Sequence, residues 1–233
     1  IAKLGANTVR IGEFAWHIME KKEGEFDFSY FDKVITALKH KNMKIIFGTP
    51  TATFPAWIAK KYPEVIAENE FGRSHAFGGR RIYCYNSEKY RALSARIVTE
   101  LLKHYQDEEA IISWQIDNEL GHEGSDQCYC EHCESGFRQF LKAKYQRIEN
   151  LNNTYGTVFW GQTYNDFEEI PVPKPTITSH NPSLLLDWAR FRSASINDYA
   201  KLQIDIVNQY KRNHQKVIHN FYGGFFNCAY DQN

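Results

Sequence analysis

The sequence has no excess of either charge: Lys plus Arg and Asp plus Glu each number 28 in 233 residues. Nothing global draws it to nucleic acid, to anionic lipid or to a polyanion, so a neutral partner is the easiest to accommodate. It has no apolar run of the 18 or more residues that a membrane span needs, and its opening lacks the charged, apolar and small-residue succession of a signal peptide. No membrane partner is expected, and the cytoplasm is the expected compartment. The absence of a fixed-period repeat excludes a solenoid. The chain opens on Ile1 rather than Met, and Ile1-Ala2-Lys3-Leu4-Gly5 reads as the tail of a helix closing on a C-cap glycine, so it is expected to begin within a domain. Cysteine is sparse and odd in number, five in all, which argues against a secreted disulfide scaffold.

What is present is enough chain for a substantial core, and aromatics at 15%. Most of these rings belong in that core, but several sit beside polar residues, as in Phe14-Ala15-Trp16-His17, Phe159-Trp160-Gly161-Gln162 and His219-Asn220-Phe221-Tyr222, a mixture suited to sugar faces and hydroxyls. Short β-rich runs alternate with helical stripes. Strands are read at 8–12, 43–48, 111–116 and 216–221, and helices through Phe31, Val34, Ile35 and Leu38, through Leu93, Ile97, Leu101 and Tyr105, and over 184–211. An insertion-like region over about 121–181 holds a cysteine cluster, a short helix around Phe137, Phe140 and Leu141, and the non-helical Pro171-Val172-Pro173-Lys174-Pro175. The alternation implies right-handed βαβ units and a parallel sheet, either a small open sheet or part of a (β/α)8 barrel.

The most informative stretch is Ile111-Ile112-Ser113-Trp114-Gln115-Ile116-Asp117-Asn118-Glu119, an apolar run that ends in an Asn-Glu pair. In barrels and open α/β sheets, the residues at the C-terminal ends of parallel strands face substrate while those inside the strand pack, which makes Glu119 the leading acid of the chain. The second concentration of chemistry is Cys128-Tyr129-Cys130-Glu131-His132-Cys133, whose thiols are too crowded for all to form relaxed disulfides with one another. A tetrahedral zinc ion relieves that crowding. Cys84 is the leading fourth ligand and His132 the local alternative, because a histidine wedged between two ligands would have to fold back sharply. A closed four-thiolate site is structural. Free or redox-active thiols and an iron–sulfur cluster are the other readings, and Cys228 is left over.

Taken together, Val9-Arg10-Ile11-Gly12-Glu13-Phe14-Ala15-Trp16, Gly48-Thr49-Pro50-Thr51-Ala52, Pro55-Ala56-Trp57, Gly79-Arg80-Arg81-Ile82-Tyr83-Cys84, Trp114-Gln115-Ile116-Asp117-Asn118-Glu119, the cysteine cluster, Gly156-Thr157-Val158-Phe159-Trp160 and His219-Asn220-Phe221 resemble the catalytic domain of glycoside hydrolase family 42, over nearly the whole chain. The resemblance implies a (β/α)8 TIM barrel, incomplete at both ends here: residues 1–233 supply about strands 2 to 5, with the zinc-stapled insertion. It implies a retaining β-galactosidase that releases terminal β-D-galactose from β-galactosides, with Glu119 as general acid/base. Arg80, Asn118 and Trp160 match substrate-binding positions, and Cys84, Cys128, Cys130 and Cys133 match the zinc ligands. Family members tend to be homo-oligomers, often trimers.

A retaining glycosidase needs a second carboxylate about 5 to 5.5 Å from the first, as nucleophile. No acid of this chain matches that position, which the resemblance places beyond Asn233. Glu13 follows an earlier strand and could reach the pocket, but the resemblance gives it no such role. This segment is therefore expected to carry the acid/base half of the site. The competing readings are another retaining β-glycosidase on the same barrel and a catalytically incomplete, zinc-stapled carbohydrate-binding fragment.

Overall fold

The structure is a computed structural model and describes residues 1–221; Cys228 lies outside them. Its main sheet is built from β1 (Thr8–Ile11), β4 (Lys44–Gly48), β5 (Ile111–Gln115) and β6 (Lys216–Ile218), all parallel and in that spatial order. Sheet order that follows chain order is the winding of a barrel arc; a doubly wound sheet would reverse direction in the middle. Between β1 and β4 lie α1 (Trp16–Met19), a two-stranded antiparallel ribbon of β2 (Glu20–Lys22) and β3 (Glu25–Phe26), and α2 (Ser29–Lys39). Between β4 and β5 lie α3 (Ala56–Lys61) and α4 (Glu88–Tyr105), and α5 (Glu131–Tyr145), α6 (Ile148–Tyr155) and α7 (Pro182–Tyr210) precede β6.

The register sorts the strand residues into two faces. Ile11, Phe47, Trp114 and Val217 lie side by side across the sheet. This row faces the helices: the Phe47 ring lies 5.7 Å from Trp114, 5.3 Å from Phe31 of α2 and 5.4 Å from Tyr105 of α4. The neighbouring rows, Arg10, Ile46, Ser113 and Lys216, then Gly48, Gln115 and Ile218, take the opposite face by the two-residue period of a strand. Arg10 bridges strands there, donating through Nη1 to Gln115 Oε1 at 3.1 Å and pairing through Nε with Glu13 at 3.0 Å. Gly48 is required where it stands, since a Cβ would come within 2.7 Å of the Glu13 Cβ.

A second core lies in the insertion, where Phe137, Leu141, Leu151, Tyr155, Trp188 and Phe191 pack around the four described cysteines. The 29-residue α7, about 43 Å long at 1.5 Å per residue, ties the two cores together. Its first half contributes Leu184, Trp188 and Phe191 to the insertion, and its second half gives Ile196, Tyr199 and Val207 to the barrel side. Asn181 caps its start by accepting from Ser183 N–H, with Pro182 at the first helical position. None of the described helices is long and apolar enough to cross a membrane.

The structure corrects several boundaries. The insertion holds two helices of 15 and 8 residues where one short helix is read, and the last strand stops at Ile218, with His219 and Asn220 turned to side-chain contacts. The β2–β3 ribbon and α1 have no counterpart in the sequence reading, because elements of two to four residues carry too little periodicity to register.

Candidate active site and metal centre

The end of β5 turns sharply. Asp117 and Glu119 both adopt left-handed backbone conformations, with φ of 46° and 47°, on either side of Asn118. A non-glycine residue held there costs of order 1–3 kcal/mol unless its surroundings over-determine it. Here they do. Glu119 N–H donates to Asn220 Oδ1 at 3.3 Å, and Asn220 Nδ2 donates to Asn118 Oδ1 at 2.8 Å. His219 accepts Leu120 N–H at Nε2, which leaves Nδ1 to carry the proton that meets Ile116 O at 2.7 Å. The two residues that follow β6 thus clamp the corner that follows β5.

Below this corner Asp117 is fully buried. Burial pushes its carboxyl pKa up, opposed by hydrogen bonds from the Thr51 hydroxyl, Asn118 N–H and the Tyr83 hydroxyl. Burial likewise pushes the Tyr83 hydroxyl well up, so it remains a donor.

The side chains expected at the site are distributed as follows. Glu119 retains partial exposure and accepts from Arg81 Nη1 at 2.9 Å, with Arg80 Nη2 at 3.7 Å. Arg80 is the exposed one of the pair and also donates to Glu123 Oε1 at 3.3 Å. Arg81, which the sequence reading passes over, is buried, pairs with both Glu119 and Glu123, and has a left-handed backbone at φ 57°. The Arg80 hydrogen bond, opposed by slight burial and aided by the charge of Arg81, lowers the Glu123 pKa. Asn118 is buried, and its Nδ2 has no hydrogen-bond partner among the described residues. A buried amide donor without a partner is costly, and a ligand hydroxyl is the kind of group that would satisfy it.

Trp160 is not brought to this corner by the described chain. It is exposed at φ 57°, stacks on Phe159 at 4.6 Å, and lines a cleft with Gln162, His180 and Asn181. That cleft shares no residue with the one formed by His75, Arg80, Arg81, His122 and Glu123. Glu13 is held by Arg10 on the barrel-facing side of the sheet. Of the residues that the sequence reading left without a role, Arg81, Asp117, His219 and Asn220 do most to hold the corner. The motif around each was visible, but not which side chain of it points inward.

Cys84, Cys128, Cys130 and Cys133 are all buried, and their sulfur atoms lie within 4.8 Å of one another. The separations of 3.4 Å for Cys84–Cys133 and 3.6 Å for Cys84–Cys130 exclude disulfides. They approach the edge of about 3.8 Å in a tetrahedron with metal–sulfur bonds of about 2.3 Å. Amide donors surround the sulfurs: Asn86 N–H reaches Cys84 at 3.4 Å, Asn86 Nδ2 reaches Cys133 at 3.3 Å and Glu68 N–H reaches Cys128 at 3.5 Å. Such outer contacts orient and stabilise thiolate ligands. Hydrogen bonding to Cys128 raises the Cys84 and Cys133 pKa values and lowers that of Cys130. The cluster can hold a metal ion, and His132 is not one of its four groups.

A carboxylate and an amide unpartnered among the described residues, at the C-terminal end of a parallel strand, define a barrel-type site for a polar ligand, in a chain that also holds a buried four-cysteine cluster. The chain belongs to glycoside hydrolase family 42, whose family model, described as beta-galactosidase, matches residues 1–233. It is 42% identical over 221 residues to the beta-galactosidase BgaA of Thermus sp, an alignment covering 95% of this chain and 34% of that protein. Its fold superposes with a TM-score of 0.94 on the beta-galactosidase of the psychrophilic Marinomonas ef1, at 38% identity over 99% of this chain and 35% of that one. The beta-galactosidase of the haloarchaeon Halorubrum lacusprofundi gives a TM-score of 0.92 at 39% identity, covering 96% and 33%. The chain thus spans about a third of the length of these relatives.

Proposed function

We propose that the polypeptide carrying this chain is a retaining β-galactosidase that releases terminal β-D-galactose, and that this segment supplies the acid/base half of a (β/α)8 barrel site. The observation that carries the reading is the β5 corner, where Glu119 and an Asn118 amide with no partner among the described residues stand together at a strand end. Glu119 gives its proton to the glycosidic oxygen as a nucleophilic carboxylate from the rest of the polypeptide attacks the anomeric carbon, forming a glycosyl-enzyme. It then takes a proton from the water that hydrolyses that intermediate. Asn118 donates to the sugar 2-hydroxyl, a contact that strengthens in the oxocarbenium-like transition state. Arg80 binds substrate at the rim. Trp160 serves as a pocket wall, and the protein assembles as a homo-oligomer, taken as a trimer, which light scattering of the full-length protein tests.

Zinc is the metal the cysteine cluster fits best, since four thiolates in a closed tetrahedron leave no open position. Bound there, an ion would staple Cys84, just ahead of α4, to the insertion, in a structural role. Thiolates held as metal ligands, not as disulfides, suit a reducing compartment such as the cytoplasm.

The experiment that tests the function is hydrolysis of nitrophenyl β-galactoside, β-glucoside and β-mannoside by the full-length polypeptide. Galactoside turnover well above the others supports the reading. Preference for another sugar moves it to a different glycosidase on the same barrel, and no turnover with retained sugar binding moves it to a binding protein. Within the active protein, Asn118→Ala is expected to lower kcat/KM by about 100-fold, or about 3 kcal/mol of transition-state stabilisation. The same change should cost much less on 2-deoxy galactosides, which lack the hydroxyl in question. An equal loss on both would remove Asn118 from that role.

A further inference from the structure

The carboxylate of Asp117 touches no cation among the described residues, yet a chain of donors converges on it from three elements. Its own N–H donates to Thr49 Oγ1 at 2.7 Å. That occupies one lone pair of Thr49 and sends its proton to Gln203 Oε1, 2.6 Å away on α7. With its oxygen so engaged, Gln203 directs Nε2 to Thr51 Oγ1, at 3.0 Å. Thr51, now an acceptor from Gln203, delivers its own proton to Asp117 Oδ2 at 2.5 Å. The Tyr83 hydroxyl lies 3.0 Å and 3.1 Å from the two carboxylate oxygens, and Asn118 N–H reaches Oδ1 at 2.7 Å.

The shorter of the two acceptor distances open to the Thr51 hydroxyl is that to Asp117, so the chain of donors ends on its carboxylate. A carboxylate accepts from Thr51, Tyr83 and the Asn118 N–H at once, whereas an asparagine would turn an N–H₂ on Thr51 Oγ1 and send the Thr51 proton to Gln203 Oε1, 3.2 Å away. The network is anchored in the core, because the Tyr90 hydroxyl donates to Thr51 O at 2.6 Å and the Tyr83 and Tyr90 rings stack 4.2 Å apart. It joins the left-handed corner that bears Asn118 and Glu119 through the Asn118 N–H.

We propose that Asp117 is the positioning residue for Glu119: held by Thr51, Tyr83 and, through Thr49, Gln203, it fixes the corner so that the Glu119 carboxyl meets the leaving-group oxygen. This rests on the reading of Glu119 as the acid/base. Asp117 itself touches no substrate. Displacing a catalytic group by about 1 Å can cost about 100-fold, and that cost should appear only where the group is needed.

The test uses the full-length protein with Asp117→Asn, Thr51→Val and Thr51→Ser, and Glu119→Ala as reference, on phenyl and 2,4-dinitrophenyl β-galactosides. The dinitrophenolate leaves without protonation, so its kcat/KM reports a site without acid assistance. Asp117→Asn and Thr51→Val are expected to lower kcat/KM about 100-fold on the phenyl substrate and less than about 5-fold on the dinitrophenyl one. Thr51→Ser, which keeps the hydroxyl, should stay close to the parent. Equal losses on both substrates, a silent Thr51→Val, or a Thr51→Ser as poor as Thr51→Val would each overturn the proposal. Amide hydrogen exchange over residues 116–121, which needs no substrate, should quicken in Thr51→Val and not in Thr51→Ser; unchanged exchange also overturns it. If Glu119→Ala itself shows no difference between the substrates, the acid/base reading fails, and the exchange measurement still decides whether Asp117 holds the corner.

Discussion

Glu119→Ala should lower kcat/KM of the full-length protein on phenyl β-galactoside by about 1,000-fold, inside the 10² to 10⁴ that a positioned general acid contributes. With a 2,4-dinitrophenyl leaving group, kcat/KM should be nearly preserved, because that step needs no proton. Its kcat should nevertheless fall, since the glycosyl-enzyme then waits for a water that no base activates. Azide is a nucleophile without a proton to lose, so adding it should restore kcat on the activated substrate and yield β-galactosyl azide, the anomer expected from two inversions. Unchanged activity in the variant, or azide without effect, would take the acid/base role from Glu119. The surroundings sharpen the expectation, because Arg81 and Arg80 face the same carboxylate oxygen. Removing the carboxylate leaves the buried Arg81 guanidinium with Glu123 as its remaining ion-pair partner. The full effect of the variant therefore includes some loosening of the 80–81 segment, which the dinitrophenyl substrate separates from the loss of the proton.

The framework of this site was legible in the sequence because it is local. Ile111–Gln115 is an apolar run with a polar end, and both the strand and the position of Asn118 and Glu119 at its exit follow from about nine consecutive residues. Glu88–Tyr105 and Pro182–Tyr210 announce themselves by apolar residues at helical spacing and by Ser87 and Asn181 at their starts. What holds the corner was not legible, because its partners are remote in sequence: Thr51 lies 66 residues from Asp117, and Asn220 lies 102 from Asn118. Arg80 and Arg81 are adjacent and chemically identical, so only the fold reveals that the second is buried against Glu119 and the first is exposed at the rim. The four-cysteine cluster falls between these cases. Three thiols within six residues imply a metal-sized crowd, and Cys84 joins them in space across 49 residues from Cys133.

Metal removal should have the largest effect on stability. The four sulfurs are at the heart of the second core, where Phe137, Leu141, Leu151, Tyr155 and Trp188 pack around them, and through Cys84 they bind the insertion to the segment that leads into α4. Without a metal, four buried thiols are left with weak mutual hydrogen bonds in place of ligand bonds. Metal-site loss falls among the changes that exceed about 4 kcal/mol, which for a chain of this size lowers Tm by roughly 10 °C. Cys84→Ser should therefore abolish stoichiometric zinc in freshly purified, reduced protein and lower Tm by about that amount. His132→Ala should retain the zinc, because His132 is not one of the four clustered groups. Chelation of the parent protein should reproduce the Cys84→Ser melting behaviour, and readded zinc should reverse it. Since Cys84 and Glu119 flank α4 and β5 at opposite ends of one helix–strand unit, activity of the chelated protein below its lowered Tm tells the two roles apart. A purely structural ion leaves kcat/KM within a few-fold there, whereas abolition of turnover with the fold intact would place the metal in the chemistry. A protein that binds no metal, or that melts at the same temperature with and without it, would reduce the cluster to four buried thiols.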